Sequence, residues 1–249
     1  FITKFKVLLF INMLKYLVVF DFDLTLVNEN TDSYIKKLSK DCPKYHSSEG
    51  WNSHMQKVFT CLHQSNVTPH HIKACLEEIP LTDRMRELLT YLKCSKKFEL
   101  IILSDANMFF IEHLLCHYEL RSLFKYVLSN PAEFSEDGCL ILRPFQEQNS
   151  CSRCPKHMCK SEALKDYISL RGREGVNFHK VIYVGDGKND LCPSLNLKKD
   201  DLIFPRTGYS LHKLVKSLQD DPSAEISIKG MVTDWVNATD ILEVVQTLC

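Results

Sequence analysis

Four consecutive apolar residues, Leu17-Val18-Val19-Phe20, run straight into two carboxylates, Asp21 and Asp23, with Phe22 between them. A strand with one wet face would alternate polar and apolar residues, so an unbroken run suits a strand buried on both faces in a parallel sheet. Side chains alternate along an extended chain, so Asp21 and Asp23 are expected to point the same way while Phe22 faces the core. Two carboxylates beyond a buried strand are costly unless a cation, a proton or a substrate compensates them. Open α/β sheets bind ligands at that carboxyl end. A pair of solvated loop acids is the plainer reading, against which stand the long apolar run and Thr25.

The same design occurs twice more. Phe98 to Leu103 leads into Ser104-Asp105-Ala106-Asn107, and Val181 to Val184 leads into Gly185-Asp186-Gly187-Lys188-Asn189-Asp190. Helical spacing separates the runs, Leu202 to Phe204 reads as a last strand and Ala238 to Leu248 as a closing helix. Strands alternating with helices predict an α/β fold with a mainly parallel, doubly wound sheet. If the three strands are neighbours, their polar tips converge on one edge. Within this pattern, residues 29–81 read as a small helical cap inserted after the first strand. Trp51, Met55, Val58, Phe59 and Leu62 recur at helical spacing as packing residues, and Thr68-Pro69 reads as an N-cap followed by proline at the first helical position. Residues 14–28 and 82–249 would form the core, with Thr82 or Asp83 capping a helix that carries Met85, Leu88, Leu89 and Leu92. Asp137-Gly138 predicts a hairpin.

Composition excludes some classes. The 31 basic and 31 acidic residues balance, so no nucleic-acid footprint is expected. Eleven scattered cysteines, an odd number, point to free thiols in a reducing compartment, hence a cytoplasmic protein. The chain starts at Phe1, with Met13 just before the strand, so residues 1–13 read as an extension. A signal anchor over Val7 to Phe20 would be too short to span, would contain Lys15 and would consume the strand that presents Asp21. No stable membrane span is expected.

Asp21-Phe22-Asp23-Leu24-Thr25 resembles the DxDxT signature of haloacid-dehalogenase-type phosphotransferases, and Ser104, a lysine and the GDGKND loop follow in that family's order. The resemblance covers residues 17 to 210 or so, and implies a Rossmann-like haloacid-dehalogenase core. It implies that Asp21 is a nucleophile forming an aspartyl-phosphate, with Asp23 as acid and then base. Mg²⁺ would lie on Asp21, Asp186 and the backbone carbonyl of Asp23, supported by Asp190. Thr25, Ser104 and Asn189 would touch the substrate phosphate end. Lys160, Lys180 and Lys188 could each neutralise the phosphoryl group, and family order selects Lys160.

Ser104-Asp105-Ala106-Asn107, Leu128-Ser129-Asn130-Pro131, Cys151 to Lys160, and Val184 to Asp190 followed by Cys192-Pro193 resemble the phosphoethanolamine/phosphocholine phosphatase family in particular. There, two further acids hold the cationic head of a small phosphorylated metabolite, and they map onto Asp32 and Asp105. Trp51 or Tyr34 could add cation–π contact, with core packing the plainer role of each. The alternatives are a pyridoxal 5′-phosphate phosphatase and a non-catalytic phosphometabolite-binding protein on the same fold. Against the latter, Asp21, Asp23, Ser104 and Asp186 are all present. Cys151-x-x-Cys154 with His157 and Cys159 reads either as half of a zinc site or as reduced loop thiols, since a second ligand pair at the usual interval is missing.

Overall fold

In a computed structural model, which describes residues 14–46, 48–221 and 223–248, the chain forms a six-stranded parallel sheet flanked by helices. Residues 1–13, which the sequence reads as an extension, lie outside the described residues. The strands are β1 (Lys15–Phe20), β2 (Phe98–Asn107), β3 (Phe124–Asn130), β6 (Phe178–Gly185), β7 (Leu202–Pro205) and β8 (Met231–Val232), in the order β3-β2-β1-β6-β7-β8. A separate antiparallel hairpin, β4 (Ala132–Phe134) and β5 (Leu140–Leu142), turns through Gly138, whose φ of 89° lies in the left-handed region.

The unalternating run of β1 has a direct cause. Val18 and Phe20 join an apolar cluster on one side of the sheet with α4 (Met85–Cys94), α5 (Met108–His117) and α9 (Ala238–Gln246). Leu17 and Val19 join another on the opposite side with α6 (Lys160–Arg173). All four are fully buried, each stabilising the sheet by roughly 1.5–3 kcal/mol through area removed from water. Phe20 pairs with Ile102 on one side and Val184 on the other, so Asp21 leaves β1 beside the point where β6 ends and β2 runs on towards Asn107.

Between β1 and β2 lie α1 (Thr31–Tyr34), a 3₁₀ turn over Ile35–Leu38, α2 (Trp51–Gln64) and α3 (Pro69–Glu77). Thr68 caps α3, with Pro69 at its start. The chain enters and leaves this insertion side by side, through a Val27–Leu81 antiparallel bridge and the bonds Asn28 N to Pro80 O and Thr82 N to Leu26 O. Its apolar face continues into the core cluster, where Phe59 meets Phe110 edge-on at 5.8 Å. Gln56 docks α2 on the hairpin, donating to Leu140 O and accepting from Leu142 N.

Three local expectations need correction. The residue capping α4 is neither Thr82 nor Asp83 but Arg84, in the left-handed region at φ 62°, and Thr82 starts the turn through its carbonyl, which accepts from Met85 N. Strand β2 does not stop at Leu103. It continues to Asn107 through an irregularity between Leu103 and Asn107, where Asn130 Nδ2 donates to the carbonyls of Asp105 and Ala106. Helices α7 (Leu191–Ser194) and α8 (Ser210–Asp220) and strand β8 were not anticipated. No helix among the described residues is long and apolar enough to cross a membrane.

Candidate active site

The carboxyl ends of β2, β1 and β6 open on a cavity of about 190 Å³ lined by Asp21, Asp23, Asp32, Asp105, Asp186 and Asn189, with Leu24, Asn30, Trp51, Ala106 and Gly187 completing it. It therefore draws on the three strand tips and on the helical insertion.

At one end, Asp21 is held by its own neighbours, its Oδ1 accepting from Phe22 N at 2.7 Å and its Oδ2 lying 2.9 Å from Lys160 Nζ. Lys160 opens α6 and is 1 % exposed, while Lys188 is on the surface and Lys180 sits at the far end of β6. Its ammonium also meets Asp190 Oδ1 at 2.7 Å. Burial opposes that charge, but Asp190 and Asp21 outweigh it and hold the lysine above its ordinary pKa. Asp190 is saturated: Tyr183 Oη donates to Oδ1 at 2.7 Å, and Asp186 N and Gly187 N donate to Oδ2. This close wrapping requires glycine at 185, where a Cβ would stand 2.5 Å from Asp190 Oδ2.

Asp186 accepts from Thr25 Oγ1 at 3.3 Å. Burial, then the nearby Asp190, pushes its pKa up to about 7, with Lys160 opposing. Burial, then Asp190, likewise raises Asp21 well above the carboxylate range, against the pull of Lys160. Oxygens of Asp21, Asp186 and Asp190 all lie within 4.8 Å of one another, and with Asp190 spent on its four donors, Asp21 and Asp186 are left as the pair that could hold a metal ion. Three buried carboxylates against one ammonium leave two negative charges in excess, and an all-oxygen donor set suits a hard divalent cation.

Three further site residues take these positions. Thr25 is fully buried and does not line the cavity, because its hydroxyl is spent on Asp186. Ser104 is also buried off the lining, its Oγ accepting from Ala106 N at 3.3 Å, which leaves its own hydrogen free to donate. The side chain of Asp23 stands outside the metal-capable trio, because the chain turns after Phe22 instead of continuing the strand. Leu24 sits at φ 55°, a strained conformation for a branched side chain, and Arg206 clamps it by donating to Leu24 O at 2.5 Å and Asn28 Oδ1 at 2.6 Å. Arg206 was not anticipated, for nothing local in Phe204-Pro205-Arg206 points to residue 24.

The same cavity also holds Asp23, Asp32 and Asp105; Asp32 and Asp105 both act on Asp23, and Asp105 acts on Asp21 as well. Asp23 Oδ2 accepts from Asn30 Nδ2 and Thr31 Oγ1, while its Oδ1 is buried with no partner. Burial, then Asp32, raises its pKa well above the ordinary range. Asp32 is 5 % exposed, and burial lifts it to about 6 despite a 2.7 Å hydrogen bond from Trp51 Nε1. Trp51 is thus more than packing: it positions Asp32 and lines the cavity. Asn30 caps α1 and carries Asp32 in its first turn.

A family model described as "Putative Phosphatase" matches residues 16–249. The chain belongs to this phosphatase family. The human phosphoethanolamine/phosphocholine phosphatase is 40% identical over 235 residues, 91% of this chain and 86% of that protein. The mouse pyridoxal phosphate phosphatase PHOSPHO2 is 35% identical over 243 residues, 94% of this chain and 99% of that one. A substrate-bound phosphoserine phosphatase structure superposes with a TM-score of 0.56 at 16% identity, covering 92% of this chain and 98% of its own. A haloacid-dehalogenase family hydrolase from Salmonella enterica serovar Typhi gives 0.55 at 19%, over 77% and 62%. The fold is that of haloacid-dehalogenase hydrolases, and this chain is a phosphoric monoester hydrolase of that type.

Proposed function

We propose that this phosphatase hydrolyses small phosphate monoesters with a cationic head, phosphocholine or phosphoethanolamine, through an aspartyl-phosphate on Asp21. The observation that carries the choice of head group is that Asp32 and Asp105 line the same cavity as Asp21, and neither is in an ion pair among the described residues. A quaternary or primary ammonium there would offset charge that the fold leaves uncompensated, and Trp51, which lines the cavity, could add a cation–π contact.

Phosphate-ester hydrolysis needs on the order of 20 kcal/mol of transition-state stabilisation, so several groups must share it. Asp21 Oδ attacks phosphorus as the ester P–O bond breaks, and Asp23, whose protonated form burial favours, gives its proton to the departing alkoxide. Water then attacks the phosphoryl group, Asp23 takes a water proton, and the bond to Asp21 breaks to release phosphate. Lys160 holds Asp21 in place and faces the charge that grows on the phosphoryl oxygens. Asp190 fixes Lys160 and the 186–187 backbone, so it acts through them. Mg²⁺ held by Asp21, Asp186 and the Asp23 carbonyl would screen the repulsion between the two anions. Residues 29–81 serve as the cap that supplies Asn30, Asp32 and Trp51.

The nearly equal similarity to pyridoxal phosphate phosphatases supports one rival substrate. Measuring kcat/KM with Mg²⁺ on phosphocholine, phosphoethanolamine and pyridoxal 5′-phosphate decides between them. The expected order puts both ammonium substrates first, and a preference for pyridoxal phosphate rejects the head-group assignment.

A further inference from the structure

Four cysteines that take no part in the chemistry above meet at one point. The sulfurs of Cys151, Cys154, Cys159 and Cys192 all lie within 4.8 Å of one another, Cys159 and Cys192 buried and the other two half-buried. Cys151 Sγ is 3.6 Å from Cys192 Sγ. A disulfide would need about 2.05 Å, whereas four thiolates about 2.3 Å from a central ion stand about 3.8 Å apart along each tetrahedral edge. Cys151-x-x-Cys154 is the usual zinc-knuckle spacing. The half-site visible in the sequence is thus completed not by His157, which falls outside the sulfur group, but by Cys192, forty-one positions downstream of Cys151.

The loop is shaped for this. The buried side chain of Gln148 donates to the carbonyls of Cys151, Cys154 and Pro155 and accepts from Cys151 N, which curls the knuckle without using any sulfur. We propose that these four cysteines form a closed structural zinc site. Four protein ligands leave no open position, so the ion has no catalytic role. Its effect is mechanical. Cys159 directly precedes Lys160, and Cys192 follows Asp190 by two residues, so the ion ties together the two segments whose side chains form the 2.7 Å Lys160–Asp190 pair. Soft sulfur ligands keep this site separate in chemistry from the all-oxygen trio at Asp21, Asp186 and Asp190.

The test is elemental analysis of protein purified without added zinc or immobilised metal. One zinc per chain is expected in the wild type and in Asp21→Asn, which keeps the result independent of catalysis. Cys192→Ser and Cys154→Ser should lose it, and Cys116→Ser, altering an exposed thiol elsewhere, should keep it. If the serine variants do not fold, a mercurial thiol titration of the wild type replaces them, with zinc expected to leave in step with four thiols and the melting temperature to fall as it leaves. Zinc-free wild-type protein whose four thiols react as fast as Cys94 and Cys116 overturns the proposal. So does stoichiometric iron in place of zinc, or zinc retained by folded Cys192→Ser.

Discussion

The two ends of the cavity hold carboxylates under opposite conditions. At the phosphoryl end Asp190 spends both oxygens on Lys160, Tyr183 and two backbone N–H groups, and Asp21 shares the same ammonium. At the head-group end Asp23 keeps one buried oxygen without a partner, and Asp32 has a single neutral donor, Trp51. Lys36 acts on Asp32 from a distance, its ammonium bonded to His54 Nε2 at 3.0 Å. One end is pinned by donors within the fold, and its remaining negative charge is left for a cation. The other stores charge that only a ligand or a proton can balance, which is how a rigid pocket separates chemistry common to all phosphate esters from recognition of one head group.

The sharpest way to break this division is at the nucleophile. Asp21→Asn should reduce kcat by roughly 10⁴-fold or more on every substrate, since it removes the attacking oxygen's charge. Circular dichroism should be unchanged, and turnover near the wild-type level on any ester would remove Asp21 from its role. Asp23→Asn comes next, at about 10²–10⁴-fold on alkyl phosphates. An aryl phosphate, whose phenolate leaves without a proton, should suffer far less in the same variant. Equal losses on both classes would mean that Asp23 does not protonate the leaving group.

The sequence made the phosphoryl end readable because its residues follow apolar runs directly, and parallel register then brings Asp21 and Asp186 together. Lys160 was one of three lysines by local pattern, and only the fold shows that Lys188 faces solvent while Lys160 is enclosed. The head-group end was less legible. Asp32 and Asp105 were named through family resemblance, whereas the bond from Trp51 depends on how α2 packs across α1, which helical spacing alone cannot encode. Arg206 and Cys192 act over long sequence separations, β8 has only two residues, and the helical stripe Leu211, Leu214, Val215 and Leu218 of α8 was legible but passed over.

Asp32→Asn probes the head-group end alone. Losing a charged partner for an ammonium should cost about 1.5–3 kcal/mol, or roughly 10- to 150-fold in kcat/KM for phosphocholine and phosphoethanolamine. A neutral aryl phosphate should be hydrolysed much as before, because the phosphoryl end is untouched. Comparable losses on charged and neutral substrates would dissolve the distinction between the two ends.

The same substitution should make the ligand-free protein more stable, a smaller effect whose sign follows from titration. Asp32 has its pKa raised from 3.8 to about 6, so the folded state favours the protonated form more than the unfolded chain does. Below 3.8 the group is protonated in both states and ionisation costs nothing. Between 3.8 and 6 the cost grows, and above 6 it is fully present, at most about 3 kcal/mol for a shift of roughly two units. Asparagine never ionises and can still accept from Trp51 Nε1 through a weaker, neutral hydrogen bond, which offsets about 1 kcal/mol. The net gain of about 1–2 kcal/mol should raise the melting temperature by roughly 2–8 °C at pH 7.5. At pH 4 the gain should disappear, because the wild-type carboxyl is then protonated as well. A melting temperature that does not rise at pH 7.5, or rises equally at pH 4, would show that Asp32 is already balanced by the fold and holds no charge in reserve for a substrate.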